Sequence, residues 1–135
     1  MAASAKDILV QTVGPMSIDG GDELEVSHGL EGTWRLDGAT LSPHTTLAAA
    51  ASNEQTITLK KGAAGTALAM MTSDSDDTTY GAAYTKGTPR HFVFTAEGTS
   101  RTFTKDNVVE LAVVEGGTCA ALDCTVTLRW VYVRG

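Results

Sequence analysis

The side chains best suited to chemistry in this sequence are a group of aspartates in one polar stretch. Asp74, Asp76 and Asp77 stand within four positions of each other, and loops that gather carboxylate oxygens in this way can bind calcium. The EF-hand pattern is absent, because no glutamate follows at the distance that closes such a site. Solvated loop acids are therefore the favoured interpretation, and a calcium site is the alternative.

The histidines and cysteines show no spacing typical of metal ligands. His28, His44 and His91 are far apart in the chain, and Cys119 and Cys124 have no His or Cys near enough to complete a tetrahedral site. Two reduced thiols are the favoured state, because cytosolic cysteines stay reduced. A disulfide across the short loop is the alternative if the protein leaves the cell.

Acid–base and nucleophilic chemistry also lacks a recognisable set of residues. Glu110 and Glu115 flank an apolar strand and are interpreted as an outward-facing pair rather than as a general acid and base. No serine has a Gly-x-Ser-x-Gly setting, and the glycine turn at 62–65 lacks the Lys-Ser/Thr pair of a phosphate-binding loop. We predict no catalytic residue, no metal site and no cofactor, and hence no enzyme.

The composition is that of one acidic globular domain. The chain has 135 residues, enough to bury about two-thirds of its unfolded surface, and its 20 threonines favour strands and turns. Ten basic against 16 acidic residues give a net charge of −6, which argues against nucleic acid as a partner. The start of the sequence has no apolar run long enough for a signal peptide or a membrane span, so we expect cytoplasmic synthesis and no membrane partner.

The clearest structural pattern lies at residues 55–71. Ile57 and Leu59 alternate with polar residues, the glycine turn at 62–65 interrupts the run, and the alternation resumes toward residue 71. Period-2 alternation on both sides of a glycine turn predicts a β-hairpin.

Other strands are predicted wherever short alternating runs are bounded by Gly, Asp or Pro. They cover residues 8–13, 23–27, 33–41, 90–95, 101–104, 108–115 and 125–134. Residues 47–51 fit either a short helix or a strand, and both stay open. About eight strands without a substantial helix predict an all-β fold, an antiparallel sandwich or barrel. We divide it into residues 1–22, an arm with a first short strand ended by Gly14-Pro15, and residues 23–135, a single β-sandwich domain.

Aromatic residues are few, and most of them pattern inward. Those on inward-facing strand positions are Trp34, Trp130, Phe92, Phe94 and Tyr132. A sugar-binding surface needs exposed rings, and the loop residues Tyr80 and Tyr84 are the candidates for one.

Two late strands, at residues 108–115 and 125–134, are apolar on both faces. We take them to be adjacent, and because exposed apolar surface is rare in monomers, we expect their second face to be covered. Cover by the N-terminal strand and cover by another copy of the chain are both open, with self-association as the working hypothesis. The residues predicted for that interface are Val108, Ala112, Val114, Val131 and Val133.

The order of features between residues 32 and 132 resembles that of the capsid decoration (cement) proteins of tailed bacteriophages. The matching features are the strand at 33–41, Pro43, the small residues at 47–52, Asn53, the hairpin at 56–71, the turn and strand at 106–114, Gly117-Thr118 and the closing strand at 125–133. The sequence departs from the pattern at Lys105-Asp106-Asn107, where the family has a Gly-Asp pair, and in its two cysteines.

The resemblance implies a jelly-roll-like antiparallel β-sandwich that binds the outside of an assembled phage capsid, commonly as a homotrimer, and stabilises the shell. The implied partners are further copies of the chain and the major capsid protein, and the implied location is the virion surface. The alternative is a binding module of a phage fibre or collar that recognises a sugar or a receptor. We expect the N-terminus to add to a sheet edge of the shell, with contacts at Lys6, Asp7, Ile8 and Leu9.

Overall fold

The computed structural model describes residues 7–27 and 30–134. The elements of this part of the chain are ten β-strands: β1 Ile8–Ile18, β2 Glu23–Glu25, β3 Thr33–Pro43, β4 Gln55–Lys61, β5 Ala67–Thr72, β6 Arg90–His91, β7 Val93–Phe94, β8 Thr102–Phe103, β9 Val109–Glu115 and β10 Leu122–Arg134. Among the described residues, no helix is long and apolar enough to cross a membrane.

The strands form two antiparallel sheets of five strands each, packed face to face. Sheet A has the order β1-β10-β3-β6, with β8 also paired to β3, and sheet B has the order β2-β9-β4-β5-β7. Successive strands change sheet at every connection except the hairpin between β4 and β5. The predicted all-β sandwich is confirmed. It has ten strands rather than about eight, because β6, β7 and β8 are two-residue pieces.

The core lies between the sheets, where the alternating rows of facing strands meet. The buried residues of β10 are Leu122, Cys124, Val126, Leu128 and Trp130. From sheet B, β9 contributes Val109, Leu111 and Val113, and β4 contributes Ile57 and Leu59. These are the faces that the period-2 alternation assigns to the interior.

The hairpin at residues 55–71 is confirmed, with β4 and β5 paired through Ile57 and Met71. Its two glycines are needed for different reasons. Gly62 has a φ of 83°, in the region that favours glycine. At Gly65 the constraint is space, because an added Cβ would lie 1.7 Å from the carbonyl oxygen of Lys61.

The first strand is longer than predicted. Gly14 and Pro15 form a bulge rather than an end, since pairing with β10 stops at Val13 and resumes at Met16. The edge of a sheet tolerates proline, which has no N–H to donate. After the bulge the strand continues to Ile18, which is buried in the core. Because β1 lies beside β10 in sheet A, the alternative in which the N-terminal strand covers an apolar face is wrong.

The strand predicted at residues 90–95 is divided between the sheets. Its first half, β6, pairs with β3 in sheet A, and its second half, β7, pairs with β5 in sheet B. Phe92 lies at the crossing, where it is buried and donates its N–H to the carbonyl oxygen of Ala39 at 2.9 Å. The sequence alternation does not reveal this crossing, because Phe92 and Phe94 both pack into the core although they belong to different parts of the segment.

The segment at residues 47–51 is neither helix nor strand. It contacts the rest of the fold through single bridges, from Leu47 to Tyr84 and from Ala50 to Asp74. The run is too short to form a stable helix by itself, and its backbone bonds to the neighbouring loop instead.

Leu59→Ala tests the core assignment. We expect it to lower the free energy of unfolding by about 2–5 kcal/mol, because it leaves a cavity between the sheets. Val10→Ala, at an exposed position, is the matched control and should cost less than about 0.5 kcal/mol. Urea unfolding followed by tryptophan fluorescence measures both, and equal costs would contradict the assignment.

Candidate interaction surfaces

The most exposed large apolar side chains lie on the outer faces of the two sheets. On sheet A they are Ile8 (54% exposed), Val10 (58%) and Val133 (41%), and on sheet B they are Val93 (42%) and Val114 (65%). Each outer face therefore presents aliphatic residues that the described part of the chain leaves open to solvent.

On sheet A, neighbouring strands join these residues into one patch. The strand register places Ile8 beside Val131, Val131 beside Arg35, and Val10 beside Arg129. Asp37 forms ion pairs with Arg129 and, at 3.7 Å, with Arg35. One aspartate therefore balances two arginines, and the three side chains carry a net positive charge. We name this patch the arginine face, and it consists of Ile8, Val10, Arg35, Asp37, Arg129, Val131 and Val133.

On sheet B, the patch along β2 and β9 is acidic. Glu23 lies opposite Ala112, and Glu25 lies opposite Glu110, which has Lys60 on its other side. No ion pair between described residues neutralises these glutamates, and Glu110 is buried with its Oε1 atom unpaired in the described part of the chain. We name this patch the glutamate face, and it consists of Glu23, Glu25, Val108, Glu110, Ala112 and Val114.

The five residues predicted for self-association are divided between these two faces. Val131 and Val133 belong to the arginine face, and Val108, Ala112 and Val114 belong to the glutamate face. The expectation that their strands are adjacent is wrong, because β9 and β10 lie in different sheets. Val114 and Val133 are exposed, Val108 and Val131 are half-buried, and Ala112 is buried. Their interface role remains a prediction.

The residues predicted to contact a capsid begin the first strand. Asp7 and Ile8 are exposed, whereas Leu9 is half-buried and packs against the core. Lys6 lies outside the described residues. Residues 8–13 form a strand, as predicted, and this strand pairs with β10 from Ile8 onward. The capsid contact itself remains a prediction.

The two glutamates that flank β9 do not form the outward-facing pair that was expected. Their odd separation places them on opposite faces of the strand, and only Glu110 lies on the outer face. Glu115 accepts a hydrogen bond from the N–H of Gly20 at 3.0 Å. Its hydrogen bond to the carboxyl group of Asp19, followed by the backbone N–H of Gly20, lowers the pKa of Asp19.

The carboxylates of Asp74 and Asp77 bind the backbone of their own loop. An Oδ1 atom of Asp74 accepts from the N–H of Asp76 at 2.9 Å, and Asp77 accepts from the N–H groups of Thr79 and Tyr80 at 2.9 and 2.8 Å. Within residues 7–27 and 30–134, no group of three or more His, Cys, Asp and Glu side chains is arranged to hold a metal ion. The carboxylates serve as acceptors in a loop turn.

The histidines that the structure describes bond to threonines on sheet A. His44 Nε2 lies 2.7 Å from Thr125 Oγ1, and His91 Nδ1 lies 2.9 Å from Thr40 Oγ1. His28 lies outside the described residues. The two described rings are thus engaged separately.

Tyr84, one of the two candidate rings for a sugar surface, belongs to the core. Its side chain is fully buried, and its hydroxyl group donates to the carbonyl oxygen of Gln55 at 2.9 Å. Burial raises the pKa of Tyr84 far above its usual range. Because Tyr80 alone remains, and is only partly exposed, the aromatic platform that a sugar would need is not assembled from this pair.

Arg90 holds the loop that carries these tyrosines. Its guanidinium group donates to the carbonyl oxygens of Thr72 at 3.1 Å, of Ala82 at 2.8 Å and of Tyr80 at 2.8 Å. It also lies over the ring of Tyr84, 4.9 Å from the centroid. Desolvation by the surrounding loop lowers the pKa of Arg90, and the three carbonyl groups offset that cost.

Arg90→Lys tests this role. An ammonium group keeps the charge but cannot reach three carbonyl oxygens with a planar fork, so we expect the free energy of unfolding to fall by about 1–3 kcal/mol. Lys105→Arg, an exposed exchange of the same two residue types, should change it by less than about 0.5 kcal/mol. Urea unfolding measures both, and an unchanged midpoint for Arg90→Lys would contradict the role.

The two thiols are unbonded and differ in their surroundings. Cys124 faces the core from β10, and burial raises its pKa to about 11. Cys119 is half-buried and donates its S–H to the carbonyl oxygen of Asn53 at 2.8 Å. Burial raises the pKa of Cys119 too, with smaller contributions from the charges of Glu115 and Glu54.

Thiol labelling at pH 8 should distinguish these two environments. We expect the native chain to react at Cys119 alone, more slowly than a free thiol, and to react at both cysteines in denaturant. Because burial raises the pKa of Cys124 in the folded chain, the neutral thiol favours the folded state at a pH below the ordinary thiol pKa. This contribution to the free energy of unfolding should be lost as the pH rises toward about 11. The Cys119→Ser variant is the control, and rapid native labelling of it would place Cys124 outside the core.

The fold is a small sandwich of two antiparallel sheets with exposed aliphatic residues on both outer faces. A chain in the structure of the cyanophage Pam1 capsid asymmetric unit is similar to it, with a TM-score of 0.53 and 17% sequence identity over 98% of this chain and 93% of that chain. At this identity the likeness concerns the fold alone. A chain of the infectious bursal disease virus Gx strain structure gives a TM-score of 0.40 and 14% identity, over 97% of this chain and 34% of that one, which is too low to establish a common fold. No family model matches the sequence, and no curated protein is significantly similar to it.

Proposed function

We propose that this chain is a structural virion protein that binds the outside of an assembled phage capsid and stabilises the shell. The observation that carries the proposal is the fold similarity to a chain of the cyanophage Pam1 capsid asymmetric unit. The alignment spans nearly all of both chains, so the similarity concerns a whole small subunit rather than one domain of a larger one.

The outer faces support a role in assembly. Ile8, Val10 and Val114 are each more than half exposed, and aliphatic residues in such positions are typical of surfaces that bind other proteins. A capsid offers many equivalent sites, so weak contacts at each one sum through multivalency. The chain acts by bracing its neighbours, as a homotrimer on the shell, with the major capsid protein as its partner.

A sugar-binding module is the less favoured function. It would use the rings of Tyr80 and Tyr84, and the ring of Tyr84 is buried in the core. We therefore retain the capsid-binding function alone.

Binding to undecorated phage shells tests the proposal directly. We expect saturable binding at a fixed number of copies per shell, measured by co-sedimentation. The melting temperature of the shells should rise with the concentration of added protein, because a ligand that binds only the assembled state stabilises it. Absence of saturable binding under these conditions would reject the function.

The start of the chain is the expected shell contact, through Lys6, Asp7, Ile8 and Leu9. The double variant Lys6→Glu/Asp7→Lys reverses both charges there and should weaken shell binding about tenfold or more. Ala48→Gln, at an exposed position in the loop between β3 and β4, is the control. A second variant that lacks residues 1–6 tests the N-terminus, and unchanged binding would remove it from the contact.

A further inference from the structure

The arginine face and the glutamate face are complementary to each other. Each combines exposed valines with charges of one predominant sign: Arg35 and Arg129 against Asp37 on sheet A, and the exposed Glu23 and Glu25 against Lys60 on sheet B. We infer that the arginine face of one copy binds the glutamate face of the next copy, in a head-to-tail contact. This inference rests on the proposed function and deepens it, because it specifies how copies of the chain contact each other.

Charge favours this arrangement over a symmetric contact of like faces. Two arginine faces brought together would oppose arginines to arginines, and two glutamate faces would oppose Glu23 and Glu25 to their own copies. Like charges across an interface are costly, whereas opposite charges set the register of partners. Only the unlike pair brings the cations of one copy to the acids of the other.

The state of the glutamate face adds to the argument. Glu23 and Glu25 are exposed on β2, and Glu25 lies directly opposite the buried Glu110. Carboxylates directly opposite each other in a sheet destabilise it. An arginine of a neighbouring copy placed against Glu23 and Glu25 would reduce this repulsion, and the same contact would cover Val114.

The position of the two faces determines how many copies are needed. They lie on opposite sides of the sandwich, since the inner faces of both sheets are packed together in the core. When two copies join, one arginine face and one glutamate face stay open. A head-to-tail contact of this kind closes only as a ring of three or more copies, or continues as an open array.

The contact would also bring the two parts of the predicted interface together. Val131 and Val133 lie on one side of the molecule and Val108, Ala112 and Val114 on the other, so no single patch contains them. In a head-to-tail contact all five belong to one interface, with two contributed by one copy and three by the next.

A mixing experiment with purified protein, without shells, tests the inference. The double variant Ile8→Gln/Val10→Gln disables the arginine face, and Val114→Gln disables the glutamate face. We expect wild type to form assemblies of three or more copies, each variant alone to associate about tenfold more weakly, and a mixture of the two to form a capped one-to-one pair. Multi-angle light scattering and analytical ultracentrifugation distinguish these species, and Ala48→Gln is the control.

Three results would overturn the inference. They are a wild-type monomer at the highest soluble concentration, a closed wild-type dimer, and a mixture of variants without one-to-one pairs. Where a variant fails to show a native thermal transition, Arg129→Glu and Glu25→Arg replace it. Each should associate weakly alone and regain association when mixed, and no regain would equally overturn the inference. Shell binding with no solution assembly would reject this contact while leaving the proposed function intact.

Discussion

The structure depends on the burial of the inner row of β10 against the inner rows of sheet B. The strand is 13 residues long and is bonded on one side to β1 and on the other to β3. A shift of one residue in either register would turn Leu128 and Trp130 outward and bring Arg129 into the core. The cost of burying that charge fixes the register, and the register in turn determines which side chains make up the arginine face.

Several basic side chains have a second role, as internal braces of the loops. Lys61 lies over the ring of Phe103, Arg90 over Tyr84 and Arg101 over Phe94, at 5.2, 4.9 and 4.2 Å from the ring centroids. Each also donates to backbone carbonyl groups of a loop or neighbouring strand. Cation–π contacts of this kind allow loops without regular structure to pack on the sandwich. They also leave fewer cations to balance the acidic surface.

Local alternation in the sequence was sufficient to predict the strands, their inner faces and the hairpin at 55–71. It could not predict which sheet a strand joins, because period 2 reports a face and carries no information about neighbours. For this reason the alternation does not show that β9 and β10 lie in different sheets, or that residues 90–95 divide at Phe92. The burial of Tyr84 was also out of reach, since it depends on Arg90 and on Gln55, which is 29 positions away. The two charged faces arise only when β1, β10 and β3, or β2 and β9, are brought side by side.

The bulge at Gly14 and Pro15 affects how readily the edge strand β1 could aggregate. Residues 8–13, Ile-Leu-Val-Gln-Thr-Val, are uncharged, rich in strand-forming residues and free of proline and glycine, which is the composition of segments that stack into amyloid. They form an edge whose only neighbour in the described part of the chain is β10. Pro15 and the bulge interrupt the unpaired N–H and C=O groups of this edge directly after Val13. A strand of another molecule could therefore pair with only a short stretch of β1. The bulge thereby protects this edge against the addition of further strands.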